Sequence, residues 1–207
     1  MMKPTKLFLT LAVAMLCTWI SANAQPSYRK AAMVGLSTSH PKDFDGFVGY
    51  EVGVKGELLF QKNESFYLSS ALSIANRGWN MGVYDIENNR YQCKCDVYYL
   101  ELPLFLGYKY ELPNGASLFG ELGPYVALGL WGYSRLDVGG ENFDNDNLFR
   151  DGYRRNDWGG RINIGLNLRE WQWSLGYSHG VLKPTKDYWS AVNPQGAFWH
   201  LNAIYFF

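Results

Sequence analysis

Charge is scarce in this chain of 207 residues, and neither sign of charge dominates. Charged residues make up 18% of the sequence, below the roughly 25% that is usual for soluble domains. The 19 basic residues equal the 19 acidic ones, which argues against a nucleic-acid-binding protein because such a protein needs a basic face. The only long apolar run, residues 7–20, is shorter than the ~20 residues of a transmembrane helix, so a helical membrane protein is excluded.

The first 24 residues have the three parts of a secretory signal peptide. Lys3 and Lys6 give a positive start, residues 7–20 form the apolar centre, and residues 22–24 supply a cleavage site of small residues. We therefore expect a signal peptide over residues 1–24 and a single mature domain over residues 25–207. Export would place this domain in an oxidising compartment.

Apolar and polar residues alternate with a period of two through most of the mature chain, which is typical of β-strands. The pattern is clearest over residues 97–110, where Leu100 and Leu102 alternate with Glu101 and Pro103. Eight segments alternate in this way: residues 31–39, 47–60, 66–79, 97–110, 118–133, 161–168, 171–178 and 198–207. No helix of useful length competes with them.

The connections between these segments alternate between short and long. The short turns are residues 61–65, 112–115 and 169–170, the long polar loops are 81–96, 135–156 and 182–196, and residues 40–45 are intermediate. Successive connections of an up-and-down barrel emerge at opposite rims, so one rim is trimmed and the other carries long loops. We predict an all-β fold, an eight-stranded antiparallel up-and-down transmembrane β-barrel, with both termini at the trimmed rim.

In a bilayer the sheet must close, and the apolar residues at alternate positions of each strand must face lipid. Eight strands then enclose an interior filled by side chains rather than a wide pore. The inward parity carries charges of both signs, for which we predict an internal network of ion pairs and hydrogen bonds: Glu51, Lys55, Glu57, Glu101, Lys109, Glu121, Arg161 and His200. The alternation of residues 118–133 also places Trp131 on the inward side, with Glu121. Aromatic residues suited to the membrane interfaces are Tyr98, Tyr108, Tyr110, Trp171, Trp173, Trp199 and Tyr205.

Parity alone does not define which face lies inside. A soluble lipid-carrying barrel of the lipocalin kind uses the same alternation with its apolar face turned inward. The exterior of such a barrel would then expose the glycine-rich, weakly charged residues of each strand, together with Trp and Tyr at the strand ends. We therefore favour the membrane barrel and keep the lipocalin-like barrel as the structural alternative.

One short motif matches the G-x-S-x-G pattern of hydrolases: residues 176–180, which include Ser178 and His179. The hydrolase motif needs a strand, a sharp turn and a helix, whereas this segment lies at the end of an alternating strand that enters a loop. We interpret Gly176 and Ser178 as interior residues and His179 as a rim residue. No catalytic residue is expected.

Cysteines and acidic residues in the predicted loops suggest two further sites. Cys93 and Cys95 are too few for a structural zinc site, and export favours a strained or reversible disulfide between them over free thiols, with an intermolecular bond also open. Asp144, Asp146 and Asp151 suggest weak calcium binding, but their spacing departs from that of an EF-hand. We expect a solvated loop there, with no metal and no cofactor.

The segment Tyr98–Tyr110, YYLELPLFLGYKY, resembles a strand of the outer-membrane β-barrel proteins of the PorT-like family of Bacteroidota. The segment GELGPY at residues 120–125 is similar to the strand that follows in that family. The aromatic end at residues 204–207 resembles the signal read by the barrel-assembly machinery, with Tyr205 and Phe207 as its aromatic positions. The resemblance implies a fold and a location, but members of this family share no single activity.

The expected function is that of a non-enzymatic integral protein of the outer membrane of a Gram-negative bacterium, whose surface loops have a structural or interaction role. Its expected partners are outer-membrane lipid, the barrel-assembly machinery and an unknown surface or envelope protein, with no nucleic acid. Two alternatives are a barrel-embedded lipid-modifying enzyme and a narrow pore or secretion-system accessory.

Overall fold

A computed structural model of the chain describes residues 27–39, 47–60, 65–86, 89–138, 141–145, 148–150, 154–182 and 197–207. The predicted signal peptide lies outside these residues. These residues form nine strands: β1 (Ser27–Ser39), β2 (Phe47–Leu59), β3 (Phe66–Ile86), β4 (Asn89–Glu111), β5 (Ser117–Val138), β6 (Glu141–Asn145), β7 (Asn156–Leu168), β8 (Trp171–Gly180) and β9 (Ala197–Phe206). In this part of the chain, no helix has the length and apolarity needed to cross a membrane.

Eight of the strands close into an antiparallel barrel. Each strand in the order β1-β2-β3-β4-β5-β7-β8-β9 pairs with the next, and β9 returns to pair with β1 from Phe206 opposite Ala31 to Phe198 opposite Ser39. Closure gives every strand of the ring two neighbours, so its backbone groups are paired within the wall, as a bilayer requires. The predicted eight-stranded antiparallel barrel is confirmed.

The two ends of the barrel differ in the length of their connections. At one end, which we call the turn rim, residues 112–116 join β4 to β5 and residues 169–170 join β7 to β8. Ser27 and Phe207 lie at this same end, because β1 begins there and β9 ends there. The opposite end, which we call the loop rim, carries the connections that the sequence predicts to be long.

The strands extend farther beyond the loop rim than the sequence predicts. Residues 81–96 and 135–156 were expected to be loops, but β3 runs to Ile86, β4 begins at Asn89, β5 runs to Val138, and β6 pairs with the end of β5. Together these strand ends form a four-stranded projecting sheet in the order β3-β4-β5-β6. The prediction was wrong because polar residues there interrupt the apolar alternation, whereas backbone pairing continues without it.

The outer surface of the barrel is apolar and the inner surface is polar. Leu104 and Leu122 are 55% and 64% exposed, whereas Glu101 and Lys109 on the opposite parity are 1% and 5% exposed. The lipocalin-like alternative is therefore wrong, because that fold turns its apolar parity inward.

Aromatic side chains form two belts on the outer surface. The belt near the turn rim contains Tyr28, Phe66, Tyr108, Tyr110, Trp171, Trp173, Tyr205 and Phe207, and the belt near the loop rim contains Tyr50, Tyr98, Trp131, Tyr133, Trp158, Tyr177 and Trp199. Neighbouring strands bring the rings into contact, with centroids 5.0 Å apart for Trp171 and Tyr205 and 5.1 Å apart for Tyr177 and Trp199. Two such belts mark the interfaces of a barrel with the bilayer.

Trp131 faces outward, although the alternation predicts an inward position. The register between β4 and β5 shifts where Tyr98 pairs with Trp131 and Tyr99 with Gly129, so Leu130 is an extra residue on β5. Such a β-bulge reverses the parity of every residue that follows it. Trp131 therefore stacks on Tyr98 in the loop-rim belt, with centroids 4.9 Å apart.

The lipid-facing surface can be tested with a single arginine. Leu104 is exposed about midway between the two belts, whereas Tyr110 is exposed at the turn rim. We expect Leu104→Arg to lower the free energy of unfolding by about 2–4 kcal/mol and Tyr110→Arg by about 0–1 kcal/mol, because the cost of the charge depends on depth. Urea titration of the protein folded into phospholipid vesicles measures both, and equal losses would contradict the assignment of the apolar band.

Candidate functional site

The barrel interior concentrates the charged side chains of the wall. Five cations and five carboxylates of the described residues meet there, and their formal charges cancel: Arg29, Lys55, Arg77, Lys109, Arg161, Glu51, Glu57, Glu101, Glu121 and Asp157. The structure places all eight residues of the network suggested by the sequence, including His200, in this interior with exposures of 5% or less. Balanced charge suits a confined space, because an unpaired buried charge is strongly destabilising.

The charges divide into two clusters along the barrel axis. The turn-side cluster consists of Arg29, Lys55, Glu57, Lys109 and Glu121. Lys55 Nζ lies 2.6 Å from Glu121 Oε1, and Lys109 Nζ lies 2.6 Å from Glu57 Oε2, which also lies 3.4 Å from Arg29 Nη1. This cluster therefore holds three cations against two carboxylates.

The loop-side cluster consists of Glu51, Arg77, Glu101, Asp157 and Arg161. Arg161 donates to both carboxylate oxygens of Glu51, from Nη1 at 3.3 Å and from Nη2 at 3.1 Å. Arg77 bridges the other two acids, with Nη2 2.5 Å from Glu101 Oε1 and Nη1 3.1 Å from Asp157 Oδ2. This cluster holds two cations against three carboxylates, the reverse of the turn-side excess.

Uncharged polar side chains complete the coordination of the buried Glu121 carboxylate. Glu121 Oε1 accepts hydrogen bonds from Ser69 Oγ at 2.8 Å and from Tyr67 Oη at 3.1 Å, while its Oε2 accepts one from Asn163 Nδ2 at 3.0 Å. Gln172 Oε1 accepts from Lys55 Nζ at 2.7 Å. Both oxygens of Glu121 therefore accept hydrogen bonds within the wall, whereas Glu101 contacts Arg77 and Arg161 as ion pairs without a hydrogen bond.

Sequence reasoning missed several members of this network. The missed charged members are Arg29, Arg77 and Asp157, and the principal uncharged ones are Tyr67, Tyr125, Asn163 and Gln172. Arg77 lies on the same parity as Tyr67 within the predicted segment 66–79, and both are buried, so the alternation of that segment would have found it. Asp157 gave no such signal because it lies at the start of β7, outside the alternating segment.

Ser178, His200 and Glu51 form a row that resembles a catalytic triad. Ser178 Oγ lies 2.8 Å from His200 Nε2, and His200 Nδ1 lies 3.4 Å from Glu51 Oε2. However, Ser178 is completely buried and is paired with Arg161 in the wall of the barrel, and the Arg161 side chain occupies both oxygens of Glu51. The strand–turn–helix geometry of a nucleophile elbow is missing at residues 171–182, so this row orients His200 rather than activating the serine.

Little space separates the two clusters. The gap bordered by Glu51, Lys55, Glu121 and Arg161 measures about 10 Å³, which is room for about one water molecule. No acyl chain or sugar fits into such a gap.

An apolar cap closes the interior at the loop rim. Leu148 and Phe149 fold back into the barrel mouth and pack with Cys95, Val97, Tyr99, Tyr125 and Ala127, all of them buried. Backbone hydrogen bonds hold this segment, because Leu148 N–H donates to Gly132 C=O at 3.1 Å and Gly129 N–H donates to Arg155 C=O at 2.5 Å. The interior is therefore separated from the loop-rim side by packed side chains.

The suggested disulfide and calcium sites fall on side chains outside the described residues. Cys95 is buried in the apolar cap, but the side chain of Cys93 is not among those described, so the Cys93–Cys95 disulfide stays a prediction. The side chains of Asp144, Asp146 and Asp151 likewise fall outside. Within the described part of the chain, no three His, Cys, Asp or Glu residues are grouped to hold a metal ion.

A closed barrel with an apolar outer surface, two aromatic belts and a charged interior defines a β-barrel membrane protein. Residues 25–183 match the family described as outer membrane protein beta-barrel domain, and the chain belongs to this family. Membership places the protein in the outer membrane of a Gram-negative bacterium.

Several solved structures are similar to this chain. Neisserial surface protein A has 9% identity and a TM-score of 0.46, over 87% of this chain and 97% of that one. Ail, the attachment invasion locus protein of Yersinia pestis, has 14% identity and a TM-score of 0.43, over 87% and 97%. OprG from Pseudomonas aeruginosa has 12% identity and a TM-score of 0.43, over 89% and 98%. No curated protein matches the chain.

The buried ion pairs can be tested by a double-mutant cycle on Arg161 and Glu51. We expect Arg161→Met to lower the free energy of unfolding by about 3–5 kcal/mol, because it leaves the Glu51 carboxylate buried without its bidentate partner. The double variant Glu51→Gln/Arg161→Met should lose less than the sum of the two single variants. Urea titration in vesicles measures all three, and strictly additive losses would show that the pair is not coupled.

Proposed function

We propose that the protein is a closed, non-enzymatic barrel of the outer membrane that acts through the surface it presents beyond the loop rim. One observation carries this proposal: the charged side chains of the interior form ion pairs with one another, around a gap of only about 10 Å³. An interior filled in this way supports neither a continuous channel nor a substrate site, and the projecting sheet remains as the surface for a partner.

The packing of the interior argues against a narrow pore. An ion moving along the axis would have to pass the apolar cap at the loop rim and then separate Arg161 from Glu51, which are held by two hydrogen bonds. Separating a buried pair leaves both charges without compensation, at a cost of several kcal/mol. The wild-type barrel therefore has no low-energy path for ions.

The position of Ser178 argues against a lipid-modifying enzyme. A catalytic serine must reach a lipid ester from the outer surface or from an open cavity, but Ser178 points inward and is completely buried. His179, the neighbouring residue of the motif, is exposed on the opposite parity of β8. The two residues therefore face opposite sides of the wall and do not act on one substrate.

The projecting sheet supports an interaction with a surface or envelope protein. Long loops of outer-membrane barrels lie on the external side, so the loop rim and this sheet face outward from the cell. β4 runs about 30 Å beyond Tyr98 along the strand. Among the described strands, β6 has β5 as its only partner, and β3 beyond Ala75 pairs only with β4. Strand edges of this kind offer backbone donors and acceptors to an added strand.

We extend the proposal to the origin and biogenesis of the chain. The segment Tyr98–Tyr110 supports a place in the PorT-like branch of Bacteroidota barrels, and the leader over residues 1–24 supports export by a cleaved signal peptide. Tyr205 near the end of β9 and Phe207 just after it have exposed aromatic side chains, which supports their role as the signal for the barrel-assembly machinery. The apolar outer surface of the barrel supports outer-membrane lipid as a further partner.

Conductance measurements test the closed interior. We expect the purified protein in a planar lipid bilayer to give no discrete current steps in molar KCl, because the ion pairs and the apolar cap block the axis. A general porin inserted into the same bilayer is the positive control, and insertion of the barrel is verified by protease protection. Reproducible unit conductance from the wild-type protein would favour the pore alternative instead.

A further inference from the structure

Among the described residues, the interior is closed at the loop rim by the apolar cap and open at the turn rim. A cavity of about 370 Å³ lies at the turn rim and is lined by Arg29, Lys109, Arg169, Ser117, Asn167 and Glu111, among other residues. We propose that this turn-rim vestibule is a binding site for an anionic group, a carboxylate or a phosphate, presented from the periplasm. Such binding goes beyond the role proposed for the projecting sheet, which lies at the opposite end of the barrel.

The uneven division of charge between the two clusters supplies the attraction. The turn-side cluster has three cations for two carboxylates, and Glu57 is shared by Lys55, Lys109 and Arg29. Lys55 and Lys109 each lie 2.6 Å from a carboxylate oxygen, so Arg29, at 3.4 Å from its nearest one, carries the surplus charge. The Arg29 side chain is 31% exposed, and it lines the vestibule.

The vestibule also holds buried hydrogen-bond donors. Asn167 Nδ2 donates to Ser117 Oγ at 2.9 Å, which leaves the Ser117 hydroxyl proton to donate in another direction. Gln172 Nε2 donates to Asn167 Oδ1 at 2.9 Å and fixes the orientation of that amide. Lys109 is 95% buried and contributes an ammonium with more protons than its one carboxylate contact uses. Fixed donors beside a surplus cation are the features that bind oxyanions.

Arg169 supplies a second exposed cation in an unusual backbone conformation. Its φ is 55°, in the left-handed region, at the first position of the two-residue turn between β7 and β8. Asn and Gly occupy such positions at much lower cost than arginine. A long cation held there at the mouth of the vestibule is explained by a role in attracting an anion, since strained residues gather at binding sites. Glu111 offsets only part of the charge of the three basic residues in the lining.

The open end of the barrel determines the compartment from which a ligand reaches the turn-rim vestibule. The apolar cap separates the interior from the external side, so a ligand reaches the turn-side cluster from the turn rim. In the orientation of outer-membrane barrels, short turns face the periplasm. The ligand is therefore a periplasmic molecule with a compact anionic end, and the two possible sources of that end, a terminal carboxylate or a phosphate, are separable by experiment.

An NMR titration of the isotopically labelled full mature barrel in nanodiscs tests the site with three probes: inorganic phosphate, N-acetyl-alanyl-alanine and the C-terminal amide of the same dipeptide. We expect saturable shifts of the Gly115, Ser117 and Asn167 amides with phosphate, with the free dipeptide or with both, and none with the amide. Shifts with phosphate alone identify a phosphate site, and shifts with the dipeptide alone identify a carboxylate site. An absence of saturable shifts with both anions, or equal shifts with the uncharged amide, would overturn the proposal.

Variants separate binding from folding. We expect Arg169→Gly to lower the affinity for the anion about tenfold, as loss of a charge-assisted hydrogen bond does, while the turn keeps its conformation because glycine tolerates a positive φ. Arg29→Gln should have a similar effect on affinity. Arg154→Gln removes a cation at the loop rim and is the matched control. An unchanged affinity in both vestibule variants, or an equal loss in the control, would contradict a specific site.

Discussion

The structure depends on one constraint: every charge in a wall surrounded by lipid must turn inward, where it needs a partner. The alternation of apolar and polar residues satisfies the first half of this requirement strand by strand. Pairs such as Arg161 with Glu51 and Lys55 with Glu121 satisfy the second half across the barrel. Because these pairs join strands that are far apart in sequence, the same contacts that neutralise charge also hold the closed ring together.

Filling the interior with ion pairs determines where the protein can act. The side chains between the clusters pair with one another and leave a gap of only about 10 Å³, so we place the proposed functional surfaces at the two ends. At the loop rim the strands continue into a projecting sheet with open edges, above an interior closed by Leu148 and Phe149. At the turn rim the interior stays open, and its surplus of positive charge is concentrated there. The two proposals thereby assign a protein-binding surface to the loop rim and an anion-binding surface to the turn rim.

The sequence predicted the barrel and most of its charged interior because both depend on parity. A strand with a polar interior on one side and lipid on the other must alternate, so Glu101 and Lys109 could be placed from their spacing alone. Alternation did not predict the projecting sheet, because that sheet has no lipid beside it. It also placed Trp131 on the wrong side, because the extra residue Leu130 turns Trp131 outward. The division into two clusters and the row from Ser178 to Glu51 could not be predicted, because they depend on which strands meet across the axis.

The most direct test of the account is the behaviour of the protein when detergent is present and when it is removed. We expect the membrane-extracted protein to migrate faster on an unheated gel than after boiling, and to sediment as aggregate once detergent is withdrawn. Both results follow from an apolar outer band around a folded, charge-filled centre. A monomer that stays in solution without any surfactant would contradict the inside-polar, outside-apolar arrangement on which every other conclusion rests.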